Sequence, residues 1–305
     1  MSIKAAEKVP FIDIPVTAMT ADEVVDVIVS AVDSGSGSWV GNFNLHAVYE
    51  WHTNPLFRDN CARANYWIID GFPVLAAWSL KRRTIPRSRF RVGSTDWLNR
   101  LLEREIPLTI IGIGADPESS RRAAEYFNHN HASITWYAYD GFSFERQDNL
   151  PGESDLELHI ESADLILVGL GMPRQEEWIA DRLDGVLMNK VVANVGGCID
   201  YYSGRQKLAP RWMGGTGLEW AYRLARSPRR LAYRYLVEPI MLLGVLVRRA
   251  CTRTDTQVTT IKADSVVCRS VDAQRDELRE SEAKSFPANG GMREYITKND
   301  GRDIQ

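Results

Sequence analysis

"ADLILVGLGMPRQEEWIA", residues 163–180, sets a continuous apolar run against two glycines, a proline and then a polar helix start. An apolar run without polar alternation predicts a strand covered on both faces, as in a parallel sheet flanked by helices. Gly169, Gly171 and Pro173 predict a sharp exit from that strand. Arg174, Gln175 and Glu176 then fall at the strand's carboxyl end, the edge at which such sheets bind ligands. Glu176 and Glu177 also suit the positive end of a helix.

The same alternation recurs on either side. "SWVGNFNLHAVYE" (38–50) predicts a strand ending near Asn42–Asn44 and then a helix, and "ANYWIIDGFPVLAAW" (64–78) a strand, a turn at Asp70–Gly71 and a helix. "PLTIIGIGADPESSRRAAEYF" (107–127) reads as a buried strand, a glycine turn and a helix, while "ASITWYAYDGF" (132–142) and "KVVANVGG" (190–197) supply two more strands. "TADEVVDVIVSAV" (20–32) opens with Thr20 and carries Glu23 three residues on, the mark of a capping box. The fold class expected is α/β: a Rossmann-like, mostly parallel sheet with helices on both faces.

Composition divides the 305 residues into three. Residues 1–204 form the expected catalytic core. Between Arg205 and Arg253 eleven Lys or Arg face two acids, Glu219 and Glu238, whereas the whole chain carries a net charge of -3. So one-sided a block predicts an anionic partner, phosphate or lipid headgroups, and the overall charge argues against general nucleic-acid binding. Arg223 and Arg226 share one helix face, Arg230 and Arg234 another, beside the stripe Trp220, Leu224, Leu231 and Tyr235. That pattern predicts a basic amphipathic appendage over 205–253, broken at Pro228 and Pro239, that docks on a membrane. Its longest apolar stretch, "PIMLLGVLV" (239–247), falls far short of the ~20 residues of a spanning helix. Residues 254–305 are polar and read as a disordered tail with a weak helix at 271–285. No signal peptide is recognised at the start, so a cytoplasmic location is the expectation.

Several residues can carry chemistry. Asp70, with Asn42 and Asn44 at the end of the preceding strand, is a candidate general base, although Asp-Gly is equally a common turn pair. Gly112 and Gly114, before a helix N-terminus, make a candidate anion site. With Asp140 they also form an incomplete dinucleotide fingerprint, so a nicotinamide-dependent oxidoreductase is one alternative. Gly196 and Gly197 allow close backbone approach after a strand, and Asp200 is placed to hold ribose hydroxyls. No Asp-X-Asp pair occurs, the five histidines lack metal-ligand spacing, and Cys61, Cys198, Cys251 and Cys268 show no paired spacing. A metal and a cofactor are therefore not expected. A non-catalytic membrane-interaction protein is a second alternative.

Five blocks in order carry a family resemblance: "IIDGFPVLAAW", "RVGSTDWL", "ADLILVGLGMPRQEEWIA", "NVGGCIDYYSGRQKLAP" and "RWMGGTGLEWAYRLARSPRRLAYRYL". From about Asn42 to Tyr235 the chain resembles the WecG/TagA/CpsF glycosyltransferases, glycosyltransferase family 26. The resemblance implies inverting, metal-independent transfer of a sugar from a nucleotide-sugar donor to a polyprenyl-diphosphate-linked saccharide on the inner face of the cytoplasmic membrane. N-acetylmannosamine, its uronic acid, mannose and glucose all stand as donor sugars, and a homo-oligomer as an assembly. It also implies Asp70 as the base, with Asn44, Arg91 and Gln175 lining the sugar pocket and Asp200 near the nucleotide. Arg223 and Arg230 would add cations to the site, with Arg234 a third. Three departures stand out. Asn42 takes the place of a threonine, "KRRTIPRSRF" (81–90) is long enough that Arg89 competes with Arg91, and Tyr233 fills a position that is often basic.

Overall fold

A computed structural model describes residues 4–142, 153–210, 213 and 217–251. The chain divides into two units, Met1–Leu246 and Val247–Gln305. In the second, residues 247–251 are described and are helical. The expected disordered tail, 254–305, lies outside the described residues, and residues 205–246 fall within the first unit.

The first unit is built on six parallel strands: β3 (Ser38–Phe43), β4 (Tyr66–Ile69), β5 (Leu108–Gly114), β6 (Ile134–Tyr139), β7 (Leu165–Gly169) and β8 (Val191–Asn194). Their order across the sheet is β4-β3-β8-β7-β5-β6. The apolar runs face both ways, as a doubly covered sheet requires. Leu165, Leu167, Val191 and Ala193 bury against one layer, while Ile166, Val168 and Val192 bury against the other. On the first face lie helices α1 (Ala21–Ser34), α5 (Ser94–Leu102) and α6 (Pro117–Asn130), contributing Val24, Ile28, Trp97, Leu98 and Phe127. The opposite face takes α2 (Leu45–Thr53), α3 (Pro55–Cys61), α4 (Phe72–Lys81), α7 (Glu153–Ser162) and α8 (Arg174–Arg182). The Rossmann-like α/β architecture read from the apolar runs is therefore the one observed.

Local signals also match. Thr20 caps α1, its hydroxyl accepting from the Glu23 N–H while Glu23 accepts from the Thr20 N–H at 2.8 Å. Asn44 caps α2, with Oδ1 accepting from the Ala47 N–H at 3.1 Å. Ahead of the sheet runs an antiparallel hairpin, β1 (Glu7–Val9) with β2 (Ile14–Val16), whose Val9, Ile14 and Val16 are buried beside Phe43 and Ile69. Three-residue strands carry too little periodicity to be recognised in the sequence alone.

Beyond the last strand come a short helix α9 (Cys198–Tyr202), then α10 (Glu219–Arg226) and α11 (Pro228–Ala232). A widened π turn over Tyr233–Val237 leads into helix from residue 238 onward. The break expected at Pro239 is absent, because the helix runs through it. The turn before it explains this: the Glu238 N–H reaches back to the Tyr233 carbonyl, which loosens the ladder where proline has no N–H to give. At Pro228 the expectation holds, since Pro228 takes the first position of α11 after Ser227.

The C-terminal helices of this unit are tied to α2. Nδ1 of His46 donates to Glu238 at 2.8 Å, and Nη2 of Arg234 donates to Asn44 Oδ1 at 3.2 Å. Leu242 is buried with Val9, Phe43 and Val48, and burial of such a side chain contributes about 2 kcal/mol. Tyr233, Leu236, Ile240 and Leu243 are turned to solvent. Among the described residues no helix is long and apolar enough to cross a membrane.

Candidate active site

Four parallel strands end at one cleft of about 960 Å³. β3 contributes Asn42 and, just beyond it, Asn44; β4 is followed by Asp70; the loop after β7 brings Gly171, Met172 and Gln175; the turn after β8 brings Gly196 and Gly197. The far wall comes from Arg89 and Arg91 before α5, from Asp200 and Tyr201 of α9, and from Glu219, Arg223, Arg226, Arg234 and Tyr235 of the C-terminal helices. The acid, the amide and the cations, separated by up to more than half the chain, thus surround one cavity.

Asp70 follows β4, its backbone N–H donating to the Phe43 carbonyl at 3.0 Å. The residue is partly buried and lines the cleft. Burial raises its pKa to about 6; the guanidiniums of Arg223 and Arg91 pull it down, and the carboxylates of Glu219 and Asp96 push it up. A carboxyl poised there is ionised at neutral pH yet basic enough to accept a proton, which is what a general base needs.

The cations are arranged around that acid. Nη1 of Arg91 donates to Glu219 at 3.0 Å, and Nη2 of Arg223 donates to the other oxygen of Glu219 at 2.5 Å. The Arg223 guanidinium also stands 5.8 Å from the centre of the Tyr201 ring. Burial would lower the Arg223 pKa, but Tyr201, Glu219, Tyr235 and Asp70 outweigh it, so the side chain stays charged. Burial lowers that of Arg234. Both Arg89 and Arg91 line the cleft, but Arg89 is exposed and packs on Phe90, whereas Arg91 is the arginine whose charge Asp70 feels. Arg230 lies in α11, and its side chain is outside the described residues.

Glu176 and Glu177 stand in the first turn of α8, as their charge suits, but Glu176 is also wholly buried. Its Oε1 accepts from Gln175 Nε2 at 2.8 Å and from Asn194 Nδ2 at 2.6 Å, and Asn194 Oδ1 accepts from the indole of Trp39. Burial raises the Glu176 pKa to about 8, against the pull of those hydrogen bonds, so the carboxyl is largely protonated at neutral pH. Gln175 is likewise fully buried in the cleft wall, and its Oε1 has no donor among the described residues. Asn42 Oδ1 is in the same position, while its Nδ2 donates to the Asn194 carbonyl at 3.0 Å. Trp39 and Asn194 were not among the residues singled out from the sequence. The one signal for Glu176 is its spacing, three and four residues before Ile179 and Ala180 on the buried face of α8.

Because the folded chain holds a proton on Glu176 that the unfolded chain releases above its ordinary 4.5, this group makes stability fall as pH rises from about 4.5 to about 8. Glu176→Gln keeps an oxygen for both donors and places an N–H where the acid proton stands. The melting temperature of this variant relative to the unsubstituted protein should therefore rise steadily between pH 5 and pH 8. A difference independent of pH would show that Glu176 is ionised in the folded chain.

Gly112 and Gly114 do not line the cleft, and neither does Asp140. A Cβ on Gly112 would collide with the Trp136 ring, and one on Gly114, at φ 136°, would meet the Gly169 backbone. At both positions the absent side chain leaves room for close strand packing. Asp140 instead accepts from the Phe142 N–H at 3.0 Å in its own turn. The residues on which a nicotinamide reading rests are thus not gathered at the cleft. Gly196 and Gly197 do line it, as does Asp200, whose Oδ2 accepts from Gln206 Nε2 at 2.8 Å.

A parallel α/β sheet whose carboxyl edge carries an acid among arginines has the form of a ligand-binding Rossmann-like protein. The sequence pattern of the "Glycosyl transferase WecG/TagA/CpsF family" matches residues 9–256, and the chain belongs to that family: it is a glycosyltransferase. Among curated relatives, the N-acetylglucosaminyldiphosphoundecaprenol N-acetyl-beta-D-mannosaminyltransferase of Bacillus spizizenii is 23% identical over 233 residues. That match covers 75% of this chain and 86% of the relative.

Proposed function

We propose that the chain is an inverting, metal-independent transferase. In this reading it moves an N-acetylmannosamine-type sugar, or mannose, from a UDP-sugar or other nucleotide sugar to a polyprenyl-diphosphate-linked saccharide in bacterial surface-polysaccharide synthesis. The relative's name supplies the sugar and the lipid-linked acceptor. The observation that carries the reading is Asp70, with its pKa near 6, on the floor of a cleft walled by Arg91, Arg223 and Arg234.

Asp70 takes the proton of an acceptor hydroxyl as that oxygen attacks the anomeric carbon. The bond from this carbon to the diphosphate oxygen breaks, and the nucleoside diphosphate departs with the electron pair. Its growing charge is met by Arg223 and Arg234, a preorganised field in a site partly shielded from water, with Arg230 a further cation on the strength of the family resemblance alone. The buried acceptors Asn42 Oδ1 and Gln175 Oε1 suit a sugar hydroxyl or acetamido N–H that reaches them. Asp200, beside Gly196 and Gly197, suits the ribose. Tyr233, Leu236, Ile240 and Leu243, exposed next to the arginines, suit contact with the membrane's inner face, where a polyprenyl acceptor resides.

A panel of UDP-sugars, offered with a synthetic N-acetylglucosaminyl-diphosphate lipid in excess EDTA, tests this directly. Transfer from UDP-N-acetylmannosamine should give a lipid product heavier by one residue with an inverted linkage. Retention of the anomeric configuration, or turnover that needs a divalent ion, would remove the mechanism. Failure of every donor would remove the substrate assignment.

A further inference from the structure

Glu219 opens α10 with its carboxylate between two guanidiniums from different parts of the chain. Oε2 accepts from Arg91, which precedes α5, at 3.0 Å, and Oε1 accepts from Arg223, one turn further along α10, at 2.5 Å. All three side chains line the cleft, and the Glu219 side chain keeps a quarter of its surface open. Arg91 and Arg223 are also the two cations whose fields reach Asp70, and Arg91 Nε is buried with no acceptor among the described residues. The donors best placed to receive an anion beside the candidate base are thus already engaged by the chain's own carboxylate. Carboxylate and phosphate oxygens use the same guanidinium N–H groups at the same distances, so they compete for them.

We propose that Glu219 is the resident anion of the diphosphate subsite. It holds Arg91 and Arg223 while the cleft is empty, yields at least one of them to the donor's diphosphate, and retakes them as the nucleoside diphosphate leaves. The inference rests on the glycosyltransferase reading above. Two physical consequences follow. A carboxylate left beside a diphosphate repels it, so the subsite binds more weakly than its arginines alone would allow. That same repulsion speeds product release. A residue that merely organised the arginines would act with the opposite sign, because its loss would leave them free to wander.

Glu219→Gln separates the two. The amide keeps the length and an oxygen for one arginine but removes the charge. Titration calorimetry with UDP should show about tenfold tighter binding than the unsubstituted protein. With both Arg91 and Arg223 replaced by alanine, the same substitution should tighten binding by no more than about twofold. Equal or weaker UDP binding by Glu219→Gln overturns the inference, and so does a full-sized gain without either arginine, which would mark a general effect of net charge. If Glu219→Gln fails to fold, Glu219→Asp, too short to span both arginines, should show tighter UDP binding in its place, with equal or weaker binding again decisive against. An unsubstituted protein with no affinity for UDP or any other nucleoside diphosphate brings down the glycosyltransferase reading first, and this inference with it.

Discussion

Asp70→Asn should bind UDP as the unsubstituted protein does and transfer sugar about a thousandfold more slowly. The amide preserves the side chain's shape and its place after β4 but cannot accept the acceptor's proton, and a positioned general base contributes on the order of 10²–10⁴ in rate. The pH dependence carries the same information with a definite sign. With the Asp70 pKa raised to about 6, the rate should climb as pH rises through that value and level off above it, because only the ionised carboxyl is a base. Asp70→Asn should lack this acidic limb. Normal turnover in the variant, or an acidic limb unchanged by it, would place the base elsewhere.

Arg223→Ala should lower kcat by about a hundredfold with the fold intact. Removal of one preorganised donor from a developing oxyanion typically has that effect. Arg223 belongs to none of the buried clusters of the sheet, so its loss leaves them untouched. A second readout distinguishes electrostatics from disruption. Arg223 draws the Asp70 pKa down, so without it the acidic limb should move to higher pH. Single-turnover rates across pH 5–8 with saturating donor would show both effects at once. An unaltered rate would remove the C-terminal helices from the chemistry.

The expectations that succeeded and failed differ in how far apart the responsible atoms lie along the chain. Apolar runs such as "LILV" and "VVA" are dense in local information: side chains alternate across a strand, so a run apolar at every position can only be covered on both faces. Thr20 with Glu23 and Asn44 with Ala47 are likewise interactions across one helical turn. The placing of Asn42, Asn44, Asp70 and Gln175 at the carboxyl edge follows from such local reading plus the rule for parallel sheets.

Gly112 shows the limit. A glycine at the end of a strand looks the same whether it admits a phosphate or an aromatic ring, and only its pairing beside Trp136 on β6 decides for the ring. Glu176 is the same lesson with charge. Next to Glu177 it reads only as an acid at a helix start, and it is Asn194, itself held by Trp39 from another strand, that marks it as a buried acid. Pro239 reads as a helix break until the widened turn before it is seen.

From the sequence alone came the α/β class, the strand ends at which chemistry is possible and the concentration of positive charge after residue 204, because periodicity and net charge are carried by neighbours in the chain. The tertiary structure alone decided which arginines face Asp70, that Glu219 already occupies two of them, and which polar groups lose water. Those outcomes depend on distances between residues far apart in sequence, and ionisation responds to burial and to charges a few ångströms away whatever their position in the chain.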